Sequence, residues 1–251
     1  MSKPPAHKTV KSKKTSAKSG APKALKKKPA KKKLPRPKLT RAQIAEIYKH
    51  LHSLDPAPRT ELHYHNPYTL VVAVALSAQS TDVGVNKATK ALFEKADTPE
   101  KMLALGEDAV REHIKTIGLY RTKAANVIKL SRRLTEVYGG IVPDDRDALM
   151  SLPGVGRKTA NVVLNEAFGQ PTMAVDTHIF RVANRTGMAP GKDPLEVELN
   201  LLRVTPDEFA LHAHHWLILH GRYTCIARKP RCFNCAVIEF CKFKDKTKPV
   251  E

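Results

Sequence analysis

The first forty residues contain no aspartate or glutamate. They carry 14 Lys and one Arg, so most of the formal net charge of +20 sits there; the other 29 basic and 24 acidic residues leave only +5 for the rest of the chain. The excess is a property of a tail, and it raises salt-sensitive attraction to polyanions such as nucleic acid. Lys alternates there with Pro, Ala and Ser without any apolar period, which predicts a disordered basic tail over residues 1–39. An apolar run behind the first charges is missing, which argues against a secretory signal, and an Arg-bearing amphipathic presequence is missing too. No stretch is long and apolar enough to read as a membrane span. A tether to nucleic acid, a polybasic nuclear address and a solubilising leader are the readings left for the tail.

Alternation at period two is also lacking, which predicts an all-α chain of about ten helices. Ile44, Ile47, Leu51 and Leu54 recur at helical spacing behind a Thr40 cap. Four helices are expected to open on a capping residue followed by proline: Asn66-Pro67, Thr98-Pro99, Asp193-Pro194 and Thr205-Pro206. Thr205 with Glu208 has the pattern of a capping box. Gly118, Gly139, Gly169, Gly187 and Gly221 read as helix stops. The run from Tyr68 to Leu76 is apolar on every side, as a helix at the centre of a bundle is.

Cysteine is absent until residue 225, and then four fall in the last 27 residues, Cys225, Cys232, Cys235 and Cys241. Four thiols so close together, with no secretory signal to favour disulfides, point to a metal centre. The spacing alone leaves structural zinc and a 4Fe-4S cluster both open. Arg228, Lys229 and Arg231 lie between the first two cysteines, where a pinned loop would present them to phosphates or simply to water.

Leu152-Pro153-Gly154-Val155-Gly156-Arg157-Lys158 has the form of a tight Pro-Gly-x-Gly turn that launches a helix. Glycines there let backbone amides face outward, and exposed amides at a helix start attract anions. Lys158 is an amine that desolvation or cationic neighbours such as Arg157 would drive toward its neutral, nucleophilic form; the guanidinium of Arg157 itself stays protonated. Asp176, in Asp176-Thr177-His178 ahead of an apolar run, reads as a helix N-cap that keeps a fixed carboxylate. His212, His214, His215 and His220 are read as packing and surface residues.

This turn, the Lys158 and Asp176 pair and the four cysteines together resemble the endonuclease III family of helix-hairpin-helix DNA glycosylase/lyases, over roughly residues 40 to 245. The resemblance implies a two-lobed helical DNA glycosylase fold: a barrel domain over 60–170 ending in a helix-hairpin-helix at about 145–168, and an iron-sulfur domain made of 40–59 and 171–251. It implies a 4Fe-4S cluster on Cys225, Cys232, Cys235 and Cys241, with Lys158 as nucleophile and Asp176 as its electrostatic and proton-transfer partner. Leu152, Gly154, Val155 and Gly156 would clamp phosphate, while Gln79 and Leu119 match the family's inserting residues. Arg228, Lys229 and Arg231 complete the expected DNA contacts. The implied activity is removal of oxidised pyrimidines from duplex DNA with β-elimination at the abasic site, by a monomer in bacterial cytoplasm or a nucleus. The alternatives are a non-catalytic or redox-sensing DNA binder, and a monofunctional purine-mismatch glycosylase, which would lack the lysine.

Overall fold

Local sequence rules account for most of the helix starts. The structure, a computed structural model, describes residues 34–249. Among them are eleven α-helices and two single 3-10 turns, with no strand. In chain order the helices are α1 (Arg41–Leu54), α2 (Pro67–Leu76), α3 (Asp82–Lys95), α4 (Pro99–Leu105), α5 (Glu107–Ile114) and α6 (Tyr120–Tyr138). After them come α7 (Arg146–Met150), α8 (Arg157–Phe168), α9 (Thr177–Thr186), α10 (Pro194–Val204) and α11 (Ala213–Tyr223). Thr40 and Gln43 form a reciprocal capping box on α1. Asn66, Thr98 and Asp193 each accept a hydrogen bond from the first turn of their helix, and each is followed by proline. Such a cap is worth about 1 kcal/mol.

Several local expectations are overturned by tertiary contacts. Thr205 opens no helix: it ends α10, and its hydroxyl lies 2.9 Å from that of buried Tyr48. Only a 3-10 turn, Asp207–Phe209, follows it, so the box with Glu208 does not form. Gly139, Gly169 and Gly187 do end helices in the left-handed conformation. Gly118 lies beyond α5, which ends at Ile114 with Lys115 as its C-cap. Gly221 is inside α11, where a Cβ would come within 2.8 Å of His178 Cβ. It is a contact glycine, chosen by the approach of α9 rather than by a chain reversal. Leu54, expected on the buried face of α1, is exposed.

Two apolar cores form. One gathers residues from Leu62 to Leu164 together with Ala174, with α2 at its centre, where Leu70, Val71, Val72 and Ala73 are completely covered. Full burial of a Leu or Val side chain contributes about 1.5–3 kcal/mol. The other core combines Leu39 and the inner face of α1 with residues from Met173 to Val237, including Trp216. Its existence explains why residues 34–39, expected within the tail, are packed: Leu39 is buried, and Lys38 N–H donates to Gly187 O at 2.8 Å. The rest of the expected tail, residues 1–33, lies outside the described residues. Among the described residues no helix is long and apolar enough to cross a membrane.

Candidate active site

α8 starts immediately behind the predicted turn. Val155 N–H donates to Leu152 O at 3.1 Å, and Gly154 sits at φ +81°, a conformation natural to glycine. Gly156 is the N-cap and has no side chain to cover the first amides of α8. Those amides and the positive helix end form a place for an anion. Gly154 and Gly156 are exposed, whereas the side chains of Leu152 and Val155 are buried in the first core. Of the four expected clamp residues, these two therefore present only main chain.

Lys158 lies in the first turn of α8. Its side chain is 51% exposed, and Nζ is 3.8 Å from Asp176 Oδ2, whose side chain is 11% exposed. Asp176 caps α9: Oδ1 accepts from the amides of His178 and Ile179 at 2.8 and 2.9 Å. One carboxylate oxygen thus holds a helix while the other faces the amine. The spacing is set by the connection between α8 and α9. Asn161 Nδ2 donates to Met173 O at 2.9 Å, and Thr172 Oγ1 donates to Asn161 O at 2.5 Å, strapping that connection against α8.

Arg157 does not crowd the amine as its position in sequence suggests. Its guanidinium makes a bidentate pair with buried Glu198 of α10, Nε to Oε2 at 2.9 Å and Nη2 to Oε1 at 2.7 Å. The positive neighbour expected of Arg157 is thereby paired elsewhere.

Lys158 and Asp176 open onto a cleft of about 750 Å³ that also takes in Gln79, Asp82, His214 and Arg222. That volume is within the range of sites that enclose a small ligand. His214 and its neighbours were read from sequence as packing, and the structure gives them a second place. His214 is 2% exposed, and its Nδ1 has no hydrogen-bond partner among the described residues. Burial pushes its pKa well below the usual histidine value, and the nearby charges of His215 and Lys158 push the same way, so the ring is neutral. Arg222 of α11 donates to Asp82 Oδ2 at 2.6 Å and also to Glu61, tying α11 to the start of α3. No spacing rule links Glu61, Asp82 and Arg222, which are far apart in the chain. The only sequence signal was the pair of adjacent histidines on a helix that is otherwise core.

Gln79 and Leu119 both stand on exposed turns. Gln79 follows α2 at φ 55°; Leu119 precedes α6 at φ 58° and is 61% exposed. Among the described residues, the non-glycine positions with left-handed backbone are Gln79, Leu119 and Lys229, all three of them expected DNA contacts. Such geometry costs about 1–3 kcal/mol per residue and tends to survive where a side chain must be presented.

The four cysteines line one cavity with His220, Val237 and Phe243, and none forms a disulfide. Burial pushes the Cys235 thiol up to about 11, and the nearby Cys241, Cys225 and Cys232 push the same way. Among the described residues no three His, Cys, Asp or Glu side chains are grouped so as to hold a single metal ion. Two arginines of α9 secure the loop: Arg181 Nε donates to Cys225 O at 2.8 Å, and Arg185 Nη1 donates to Ile226 O at 2.7 Å. Arg228, Lys229 and Arg231 are exposed on that loop.

Residues 72–207 match the HhH-GPD superfamily of base excision DNA repair proteins. The chain is 59% identical over 206 residues to the endonuclease III of Escherichia coli strain K12, covering 82% of this chain and 98% of that protein. It is also 59% identical over 201 residues to that of Haemophilus influenzae, covering 80% and 95%. A solved structure of a trapped endonuclease III–DNA covalent intermediate superimposes with a TM-score of 0.76 at 47% identity, over 81% of this chain and 96% of that one.

Proposed function

The chain belongs to the endonuclease III family of the HhH-GPD superfamily, DNA glycosylase/lyases of base excision repair, and from this we propose that Lys158 and Asp176 carry the reaction here. The observation that supports the assignment is the Lys158 Nζ to Asp176 Oδ2 approach of 3.8 Å at the edge of the cleft, behind an uncapped helix start. That distance suits an ion pair and is longer than a hydrogen bond. Once the bound duplex has excluded solvent, a proton passes from Lys158 Nζ to Asp176.

The substrate is an oxidised pyrimidine in duplex DNA, turned out of the stack into the cleft. Backbone amides around Gly154 and Gly156 grip phosphate, and Gln79 and Leu119 fill the space the nucleotide leaves. The Lys158 amine attacks C1′, the bond to the base breaks, and the base departs with its electron pair and a proton. The C1′–O4′ bond of this adduct then breaks, O4′ takes the proton held by Asp176, and the iminium so formed makes the C2′ proton acidic; its removal expels the 3′ phosphate by β-elimination. Asp176 supports the positive charge that develops on the sugar.

A 4Fe-4S cluster on Cys225, Cys232, Cys235 and Cys241 belongs to the same proposal. Four thiols around one cavity are the right donors for such a cluster, and membership of the endonuclease III family supports it over zinc. Its role here is structural, fixing the loop that bears Arg228, Lys229 and Arg231 against phosphates. The two apolar cores support the division into a barrel lobe over 60–170 and a cluster lobe of 40–59 with 171–251.

Borohydride trapping on a duplex with one thymine glycol tests the chemistry. Wild type should form a covalent adduct, and Lys158→Gln should form none while still binding the duplex. An adduct of equal yield from the variant would remove Lys158 from the mechanism.

A further inference from the structure

The turn carrying Gln79 and the turn carrying Leu119 meet at one lysine. Lys123, in the first turn of α6, is 7% exposed. Its backbone amide donates to Leu119 O at 3.0 Å, and its Nζ donates to Ser80 Oγ at 2.8 Å. The same residue therefore grips the end of α6 at Leu119 and the neighbour of Gln79. Gly118 closes the gap from the other side, since a Cβ there would lie 3.8 Å from the Gln79 carbonyl oxygen. Asn126, one turn further along α6, underlies the hairpin: a Cβ on Gly154 would lie 3.2 Å from that of Asn126. Gln79, Leu119, Lys123, Asn126 and Gly154 line one groove of about 160 Å³.

An ammonium is an expensive group to bury, and here burial depresses its pKa from the ordinary lysine value. An apolar side chain would fill the space at lower cost. Left-handed backbone at Gln79 and at Leu119 is also costly, and such conformations persist where neighbouring groups impose them. Lys123 bonds to both turns, to the Leu119 carbonyl through its backbone amide and to Ser80, the residue after Gln79, through Nζ.

We propose that Lys123 is a positioning residue that holds the Gln79 and Leu119 turns in register as a two-pronged wedge, so that both enter the duplex together as the nucleotide leaves the stack. The inference rests on the glycosylase/lyase reading above. Lys123 does not touch the reacting atoms, and its effect appears only where a base must be extruded.

The test compares two substrates. On a duplex with a single thymine glycol next to 2-aminopurine, Lys123→Met should lower base release about 10- to 100-fold, the scale on which a misplaced positioning group acts. The 2-aminopurine fluorescence rise that reports unstacking should fall in parallel. On a single-stranded oligonucleotide with a preformed abasic site, which needs no wedge, borohydride trapping should stay within about twofold of wild type. Ser80→Ala, a gentler change, should show the same substrate dependence, and the double variant should be no worse than Lys123→Met alone. Equal losses on both substrates, or full duplex activity in Ser80→Ala, would overturn the proposal. If Lys123→Met does not fold, Ser80→Ala decides the matter alone. Failure of wild type to trap either substrate would instead strike the glycosylase/lyase reading.

Discussion

At Asp176 the two carboxylate oxygens have separate tasks, and two substitutions pull them apart. Oδ1 holds the α9 amides and Oδ2 faces Lys158. Asp176→Asn keeps an oxygen for the cap and removes the charge, so its Tm should match wild type while base release falls about 10²- to 10⁴-fold, the usual worth of a proton-transfer group. Asp176→Ala should lose comparable activity and in addition about 0.5–2 kcal/mol of stability from the missing cap. Thermal melts and single-turnover rates on the two variants check this. An Asn variant with near-normal rates would leave Asp176 as a cap and nothing more. The residue types at this pair were legible because a Lys in the first turn behind Pro-Gly-x-Gly and an Asp ahead of an apolar run are local patterns. The pairing of Arg157 with Glu198 was not, because it joins α8 to a helix some forty residues later.

α9 links the chemistry to the cysteine loop. Its N-terminus is capped by Asp176, and Arg181 and Arg185 farther along it hold the backbone at Cys225, Ile226 and Ala227. The helix packs on α11 so closely that Gly221 has no room for a side chain beside His178. Gly221→Ala must therefore push α9 away, with an overpacking cost of about 1–3 kcal/mol. We expect both a lower Tm and slower base release, because the Asp176 end of α9 moves relative to α8. An unchanged Tm would mean that the two helices adjust without strain. The caps at Thr40, Asn66, Thr98 and Asp193 follow from three- and four-residue patterns and are where the sequence placed them. Gly221 and Thr205 were misread for a common reason: a glycine or a threonine that serves a distant helix looks identical, locally, to one that stops or starts its own.

The whole molecule is held by two cores, and its cysteine loop closes on the second of them. Cys235→Ser should lose bound iron and lower Tm by about 10 °C, the shift that several kcal/mol makes in a chain of this size. Iron retained at the wild-type ratio, with native melting, would contradict the structural role of the cluster. Charge is the other property at this scale. Residues 1–33 hold 13 lysines and no acidic residue. Their deletion should flatten the dependence of log Kd for undamaged duplex on log salt, because fewer phosphates are neutralised. An unchanged slope would show that the tail does not touch DNA.

Helix content, the capped starts, the reactive amine, the carboxylate and the four thiols were determined by the sequence, because each depends on neighbours within a few residues or on side-chain chemistry that does not change with fold. The tertiary structure decided which of these groups meet. It put Oδ2 of Asp176 beside Lys158, gathered Glu61, Asp82 and Arg222 at the mouth of one cleft, buried His214 there as a neutral ring, and set Lys123 between two strained turns. Those contacts join residues from 18 to more than a hundred positions apart, and the packing of the helices around the two cores brings them together.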